Sequence, residues 1–268
     1  MAIREARARF LASAAICGIL ALAVTGCKTL ESPETTGTLG TTSSVTPDTD
    51  ARRDVEALGA RYRANPRDVE TAIQYARALR ETGQRSQAVA VLEQAAIRDP
   101  DNKRLLGAYG RALADAGNYG QALDILGKAH TPDQPDWRIL SAQGAVLDQM
   151  GRHDEAQRYY ASALKIAPDE PSVLSNLGLS YALAKDLPKA EATLRRATTQ
   201  ANVDPRVRQN LALVVGLQGR FAEAETIARA DLPPGEAAAN VAYLRDMLAK
   251  KSDWKKIARP ASAVDPGG

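Results

Sequence analysis

The sequence predicts an all-α protein of about five helix-turn-helix repeats with a capping helix at each end, and three columns of residues at one spacing predict it. An alanine returns every 34 residues; a second alanine follows it by seven places in four copies, and a glycine precedes it by five places in four copies. Repeats of about 20–50 residues are typical of solenoids, whose units bury their apolar faces against one another. The columns are Ala88, Ala122, Ala156, Ala190 and Ala224; Ala95, Ala129, Ala163 and Ala197; and Gly83, Gly117, Gly151 and Gly219, with Lys185 in the remaining place.

The composition agrees with a helical core made of small side chains. Hydrophobic residues make up 44% of the 268, yet phenylalanine and tryptophan occur only twice each. The formal net charge is +3, of which residues 1–26 carry +2 through Arg4, Arg7 and Arg9 against Glu5, so that +1 remains. A polybasic surface is therefore absent from the predicted mature chain, and its charge does not favour nucleic-acid binding.

Residues 1–26 have the layout of a bacterial lipoprotein signal peptide. Arginines precede an uncharged apolar run, which ends in the sequence VTGC; this resembles a lipobox and marks Cys27 for lipidation. The alternative, an uncleaved membrane anchor, is disfavoured because the run is about fifteen residues where a span needs roughly twenty. By analogy with bacterial lipoproteins, Lys28 favours the outer membrane. We therefore expect an exported protein, lipid-anchored at the periplasmic face of the outer membrane.

The segment after the signal is predicted to be a lipidated cysteine and a disordered tether, over residues 27–50, because it is rich in Thr, Ser, Gly and Pro. Asp50 is expected to cap an N-terminal helix that belongs to a capping segment over residues 51–66. The apolar face of this helix is Val55, Leu58 and Tyr62.

The helical array is predicted over residues 51–250, and the C-terminal tail over 251–268. The fifth repeat should end early, because Asp231 replaces the expected alanine and two prolines follow it. A C-terminal capping helix over 236–250 follows, and Trp254 and Ile257 of the tail are candidates to dock on it. The repeats are 69–102, 103–136, 137–170, 171–204 and 205–235, and the apolar side of the last helix is Val241, Leu244 and Leu248.

These units resemble the tetratricopeptide repeat, which has the same period. The resemblance rests on a large residue followed by a small one in the first helix of each unit, and it implies a tetratricopeptide-repeat superhelix. Small residues allow the two helices of a unit to pack closely. The pairs are Tyr75-Ala76, Tyr109-Gly110, Gln143-Gly144, Leu177-Gly178 and Leu211-Ala212.

The supply of catalytic side chains is too small to predict an enzyme. His130 and His153 are the only histidines, and Cys17 and Cys27 are the only cysteines. His153 occupies a packing position at the start of a second helix, and no nucleophile, base and acid can be placed together with any specificity. We expect no catalysis, no cofactor, no metal and no small-molecule substrate.

The resemblance places certain first-helix residues on a concave protein-binding groove. Such a groove, basic at one end and apolar at the other, would bind a segment with acidic and apolar residues. In the alternative interpretation, the arginines form a solvated face and the leucines pack on the C-terminal cap. The predicted groove residues are Arg77, Arg80, Arg104, Arg111, Asn176, Leu179, Leu183, Asn210, Leu213 and Leu217.

Residues 210–234 and 236–249, together with the lipobox, resemble the TadD-like repeat lipoproteins of the tight-adherence (Flp) pilus assembly system. The resemblance implies a periplasmic scaffold that assists assembly of the pilus secretion machinery, with the secretin or other Tad proteins as partners. The alternative is a lipoprotein adaptor or pilotin for another envelope system, such as one that recruits peptidoglycan hydrolases.

Overall fold

The computed structural model describes residues 47–200 and 203–257, and every regular element in these ranges is a helix. The predicted all-α class is confirmed, as is the arrangement of about five helix-turn-helix repeats between capping helices. None of the described helices is long and apolar enough to cross a membrane. The signal peptide, Cys27, most of the tether and the end of the tail lie outside the described residues, so lipidation stays a prediction.

The described helices fall into two compact units, divided after Arg152. The first unit contains α1 (Pro47–Ala64), α2 (Val69–Glu81), α3 (Arg85–Arg98), α4 (Lys103–Asp115), α5 (Tyr119–Lys128) and α6 (Trp137–Gln149). The second contains α7 (His153–Ile166), α8 (Pro171–Leu183), α9 (Leu187–Thr198), α10 (Pro205–Leu217), α11 (Phe221–Ala228) and α12 (Pro234–Ile257). The first helices of the repeats are α2, α4, α6, α8 and α10, and the second helices are α3, α5, α7, α9 and α11.

The recurring alanines are buried as their spacing predicts. All five members of the first column have 0% exposure, and the second column is at most 4% exposed. Glycines in the first helices permit equally close approaches. A Cβ added to Gly110 would lie 2.5 Å from Cγ of Leu126, and one added to Gly178 would lie 2.6 Å from Cγ of Leu194. Since carbon atoms do not approach so closely, a methyl group added at either position would force the leucine to shift.

The turn inside each repeat is closed by the same backbone motif. The residue at the glycine position has a positive φ, including Lys185 at 69°, and the next amide donates to a carbonyl five residues earlier. This is the Schellman motif, in which a left-handed residue ends the helix. The bonds are Gln84 to Leu79 at 2.7 Å, Asn118 to Leu113, Arg152 to Leu147 and Asp186 to Tyr181 at 2.9 Å, and Arg220 to Val215 at 3.3 Å.

A column of side-chain caps starts the first helices, and the sequence analysis missed it. Each cap accepts a hydrogen bond from a backbone N–H of the first turn, which would otherwise lack a partner. The spacing of the caps could have predicted them, because they also recur every 34 residues. They are Asp68, Asn102, Asp136, Glu170 and Asp204.

The predicted cap at Asp50 is wrong. Helix α1 begins at Pro47, so Asp50 lies inside its first turn, where the carboxylate accepts a hydrogen bond from Arg53 at 3.1 Å. Proline suits the first position of a helix, because its φ is already helical and its missing N–H would have had no partner there.

The last helix also differs in its bounds from the prediction. Helix α11 ends early at Ala228, as expected, but α12 runs on to Ile257 and so includes Trp254. No proline or glycine interrupts the chain between Glu236 and Ile257, so the backbone can remain helical.

Each unit has its own buried core. In the first, Val55, Leu58 and Tyr62 of α1 pack against the core as predicted, and the Tyr62 ring lies 5.7 Å from that of Tyr75. In the second, Leu244 of α12 is buried and occupies the space that glycine leaves at Gly216 of α10. The capping helices therefore shield apolar faces at which the array ends.

An ion network joins the fourth repeat to the fifth. The Glu191 carboxylate of α9 accepts hydrogen bonds from Arg195 at 2.7 and 2.8 Å, from Arg220 at 2.7 Å and from Gln218 at 2.8 Å. Glu223 of α11 pairs with the same two arginines. Burial favours the neutral acid, but the hydrogen bonds from Gln218, Arg195 and Arg220 outweigh it and lower the pKa of Glu191 to about 2.

Gly110→Ala is expected to reduce the free energy of unfolding by about 1–2 kcal/mol, because overpacking against Leu126 exceeds the gain in helix propensity. Gly127→Ala is the matched control. It lies in a helix with nothing within 4 Å of an added Cβ, so it should stabilise by about 0.5–1 kcal/mol. Urea unfolding followed by circular dichroism measures both, and equal shifts in the two variants would contradict the steric account.

Glu191→Gln is expected to destabilise the protein at neutral pH by up to about 3 kcal/mol. The folded pKa lies below the ordinary value of 4.5, so this stabilisation is complete above about pH 4.5 and disappears as the pH falls towards 2. The difference in unfolding midpoint between wild type and variant should shrink over that window. Glu81→Gln, which removes one exposed pair with Arg77, should change the midpoint little at any pH. A constant difference for Glu191→Gln between pH 7 and pH 3 would refute the assignment.

Candidate protein-binding surface

All the predicted site residues lie on first helices, and most of them recur at equivalent positions of two repeats. Arg77, Arg111, Leu179 and Leu213 lie in one column with a period of 34 residues, to which Ala145 also belongs. In the fourth and fifth repeats, an asparagine precedes the column leucine by three residues and a second leucine follows it by four, which puts all three on one helix face. The predicted arginines belong to the first unit, and the predicted leucines and asparagines to the second.

In the first unit, a groove of about 570 Å³ lies between α1 and α2. Leu58 and Ala78 give it an apolar lining, while Asp54, Arg61 and Arg77 are among the charged side chains around it. Grooves of this size suit a few side chains of a bound segment.

Three of the four predicted arginines are paired with carboxylates. Arg77 pairs within its own helix with Glu81, at 2.8 Å. The other two pairs join successive first helices: Arg80 with Asp115 at 2.5 Å, and Arg104 with Glu70 at 2.7 Å. These pairs neutralise much of the positive charge that the sequence pattern predicted for this end of the groove.

Arg111 has a different environment. Its guanidinium is half-buried and donates to the backbone carbonyls of Gly107 at 3.1 Å and Arg138 at 3.2 Å. Burial lowers the pKa of Arg111 from its ordinary value; the positive charges of Arg80 and Arg138 act in the same direction, and Asp136 opposes them. The side chain therefore remains a cation whose charge is only partly compensated.

In the second unit, the predicted site residues line neighbouring helices and are all half-buried. The Asn210 amide of α10 donates to the hydroxyl of Ser175 on α8 at 3.0 Å, which links the two helices beside the leucines. Leu213 and Leu217 lie on α10 at the positions that correspond to Leu179 and Leu183 on α8. None of these four leucines is among the side chains that pack on the three apolar cores described around α8 to α12. Their partial exposure makes them available to a partner.

The two histidines lie in different segments of the chain. His153 is the half-buried first residue of α7, and His130 lies between α5 and α6. Within the described ranges, no group of three or more His, Cys, Asp or Glu side chains could hold a metal ion.

Two side chains that the sequence analysis missed shape this surface. Asp115 neutralises Arg80, and the Trp137 ring supports Arg138, whose guanidinium carbon lies 4.3 Å from the ring centroid. Asp115 reaches Arg80 from the next first helix, whereas Trp137 is the neighbour of Arg138 in the sequence, so only the first of these contacts depends on the packing of adjacent helices.

Most of the array matches known repeat sequences. Residues 79–144 and 149–214 match a family model described as tetratricopeptide repeat, and residues 205–230 match a second model of the same description. No curated protein sequence matches the chain.

Solved structures share the fold at low sequence identity. A tetratricopeptide repeat protein from Parabacteroides merdae aligns with a TM-score of 0.63 and 14% identity, over 73% of this chain and 77% of its own. PilW, described as a widely conserved type IV pilus biogenesis factor, aligns with a TM-score of 0.61 and 18% identity, over 72% of this chain and 90% of its own. At these identities the likeness shows the fold alone.

Leu179→Glu combined with Leu213→Glu is expected to abolish capture of protein partners from envelope extracts while helix content stays unchanged. The added carboxylates place charge on a half-buried apolar face, so a docked segment would have to desolvate them. Pull-down with quantitative mass spectrometry measures capture, and circular dichroism measures helix content.

Ala192→Glu combined with Ala222→Glu is the matched control, since it adds the same charges at exposed positions of second helices. It should capture the same proteins as wild type. If the leucine variant retained full capture, the binding surface would have to lie elsewhere.

Proposed function

Because this chain belongs to the tetratricopeptide repeat family, we propose that it is a protein-binding scaffold, anchored by lipid in the outer membrane, that assists assembly of the Flp/Tad pilus secretion machinery, with the secretin as its partner. Proteins of this family bind peptides or proteins, and the fold is typically a non-catalytic scaffold. The observation that supports a binding role here is the leucine pairs of α8 and α10, which are half-buried and outside the described cores around them.

The membrane part of the proposal rests on the sequence before the helices. Lipidation of Cys27 would add about 0.8 kcal/mol of membrane affinity per buried CH₂, and two or more acyl chains hold a protein stably. The nineteen residues from Lys28 to Thr46 could span at most about 65 Å, which would allow the repeats to reach a partner away from the bilayer.

The pilus part of the proposal rests on the resemblance of residues 210–234 and 236–249 to TadD-like lipoproteins. The likeness to PilW agrees with it, since that protein is a pilus biogenesis factor with the same fold. A secretin is a suitable partner because its subunits are exported and must assemble in the membrane that carries the proposed anchor.

Deletion of the protein is expected to reduce heat-resistant secretin multimers and surface pili in the bacterium that produces it, and Cys27→Ala should do so in part, because the scaffold then loses its place at the membrane. Leu179→Glu combined with Leu213→Glu should act like the deletion, whereas Ala192→Glu combined with Ala222→Glu should act like wild type. Immunoblots of unheated envelopes measure the multimers.

Normal multimers and normal pili in the deletion strain would refute the pilus assignment. If that strain instead mislocalised peptidoglycan hydrolases, the alternative adaptor function would replace it. Protein levels of each variant are compared first, so that a loss of multimers reflects a loss of binding.

A further inference from the structure

Arg111 differs from the other arginines of the predicted groove because, among the residues that the structure describes, no carboxylate forms an ion pair with it. Arg77 holds the same position one repeat earlier, but its side chain is 76% exposed and pairs with Glu81 at 2.8 Å. Arg111 is half-buried and donates only to two backbone carbonyls. One column therefore contains a paired arginine and, in the next repeat, an arginine that lacks an acidic partner.

Arg111 of α4 lies against the start of α6, where the carbonyl of Arg138 accepts one of its hydrogen bonds. A Cβ added to Gly107 would lie 2.7 Å from Cδ1 of Ile139, so this glycine allows α4 and α6 to approach closely beside Arg111. Arg138 stands beside it on α6, with its own guanidinium carbon 4.3 Å from the Trp137 ring centroid. Two guanidinium groups therefore lie near this contact between α4 and α6, and that of Arg138 stacks on an aromatic ring.

The charges around Arg111 do not cancel. Arg80 is balanced by Asp115. Asp136 is the nearby acid, but its carboxylate accepts the backbone N–H of Arg138 at 2.7 Å and caps α6. One acid and two guanidinium groups leave a net positive charge at Arg111 and Arg138.

The fold does not require this cation. The two carbonyls that accept from Arg111 belong to Gly107 and Arg138, which lie inside helices whose own backbone ladder supplies a donor to each. Holding a partly desolvated cation without a carboxylate is unfavourable, and a bound anion removes that cost. The geometry of a guanidinium suits a carboxylate, which it can bind through two parallel hydrogen bonds.

We propose that Arg111, with Arg138 beside it, binds a carboxylate of the partner protein, either an acidic side chain or a chain terminus. This inference rests on the proposed function, because it takes the first-helix face as the binding surface. It adds that the bound segment carries an acid and that Arg111, rather than the already paired Arg77, Arg80 and Arg104, recognises it.

Short peptides selected from a display library against the full chain in detergent provide the probe. Each selected peptide is synthesised with every Asp or Glu in turn replaced by its amide, and with a free or an amidated C-terminus. Replacing the recognised carboxylate should weaken binding to wild type about tenfold and binding to Arg111→Met less than about twofold. The replacement that weakens binding shows whether the recognised carboxylate belongs to a side chain or to the C-terminus of the peptide. Arg77→Met, the matched control, should keep the tenfold loss.

Thermal unfolding separates recognition from a structural role. Arg111→Met removes an uncompensated cation but keeps much of the packing, so its unfolding midpoint should equal or exceed that of wild type. A clear fall in the midpoint of both Arg111→Met and Arg111→Gln would show that the arginine holds the fold together and would overturn the proposal.

The peptide measurements also distinguish failure of this inference from failure of the proposed function. In one outcome, Leu179→Glu with Leu213→Glu abolishes peptide binding, but carboxylate replacement weakens binding equally to wild type and to Arg111→Met. The leucine surface is then supported as the binding surface, and the carboxylate site at Arg111 is refuted. If peptides bind the leucine variant as tightly as wild type and show no coupling to Arg111, both are refuted.

Discussion

The close approach between the helices of each repeat is the constraint on which the rest of the structure depends. The five alanines that recur every 34 residues are completely buried, and Gly110 and Gly178 leave room for leucines that any side chain would displace. Because these contacts are steric, they set one register for every unit. The left-handed turn residues and the helix caps then follow at fixed distances from them, so a single geometry is repeated along each of the two compact units. Capping helices are needed where the repetition stops, and α1 and α12 cover apolar side chains there.

Charged side chains supplement this packing between successive repeats, and in doing so they remove charge from the surface. Arg80 pairs with Asp115 and Arg104 with Glu70 across first helices, while Glu191 is held by arginines of the fourth and fifth repeats. Exposed pairs of this kind contribute little stability individually, whereas the nearly buried Glu191 carboxylate contributes more because several donors converge on it. An arginine that pairs with a carboxylate of another repeat binds an acidic ligand poorly, because that carboxylate already neutralises its charge. The arginine left for recognition in the first unit is Arg111.

A scaffold of this kind separates its stability from its specificity. The buried alanine and glycine columns carry no information about a partner, and substitutions on the first-helix face can change the ligand without disturbing them. In this chain the fourth and fifth repeats have leucine, at Leu179 and Leu213, where the first and second have arginine, at Arg77 and Arg111. Under the proposed function, the leucines of the second unit would bind apolar side chains of the partner and Arg111 of the first unit would bind a carboxylate, while the lipid at Cys27 would hold the array near the assembling secretin.

The fold class and the register of the repeats could be predicted from the sequence, because a steric requirement repeated five times leaves the same residue at the same spacing. It could also have predicted the caps from Asp68 to Asp204, whose period is equally regular. The bounds of the end helices were less predictable: α1 begins at Pro47 and α12 extends to Ile257, since no repeat constrains a terminus. The charge of the candidate surface could not be predicted in the same way, because it depends on which side chains meet once the helices are packed. Asp115 and Glu70 pair with arginines across successive first helices, and Glu81 pairs with Arg77 within one helix, whereas Arg111 donates to backbone carbonyls. Packing therefore divides four arginines that look alike in sequence into three that are neutralised and one, Arg111, that has no carboxylate partner among the residues that the structure describes.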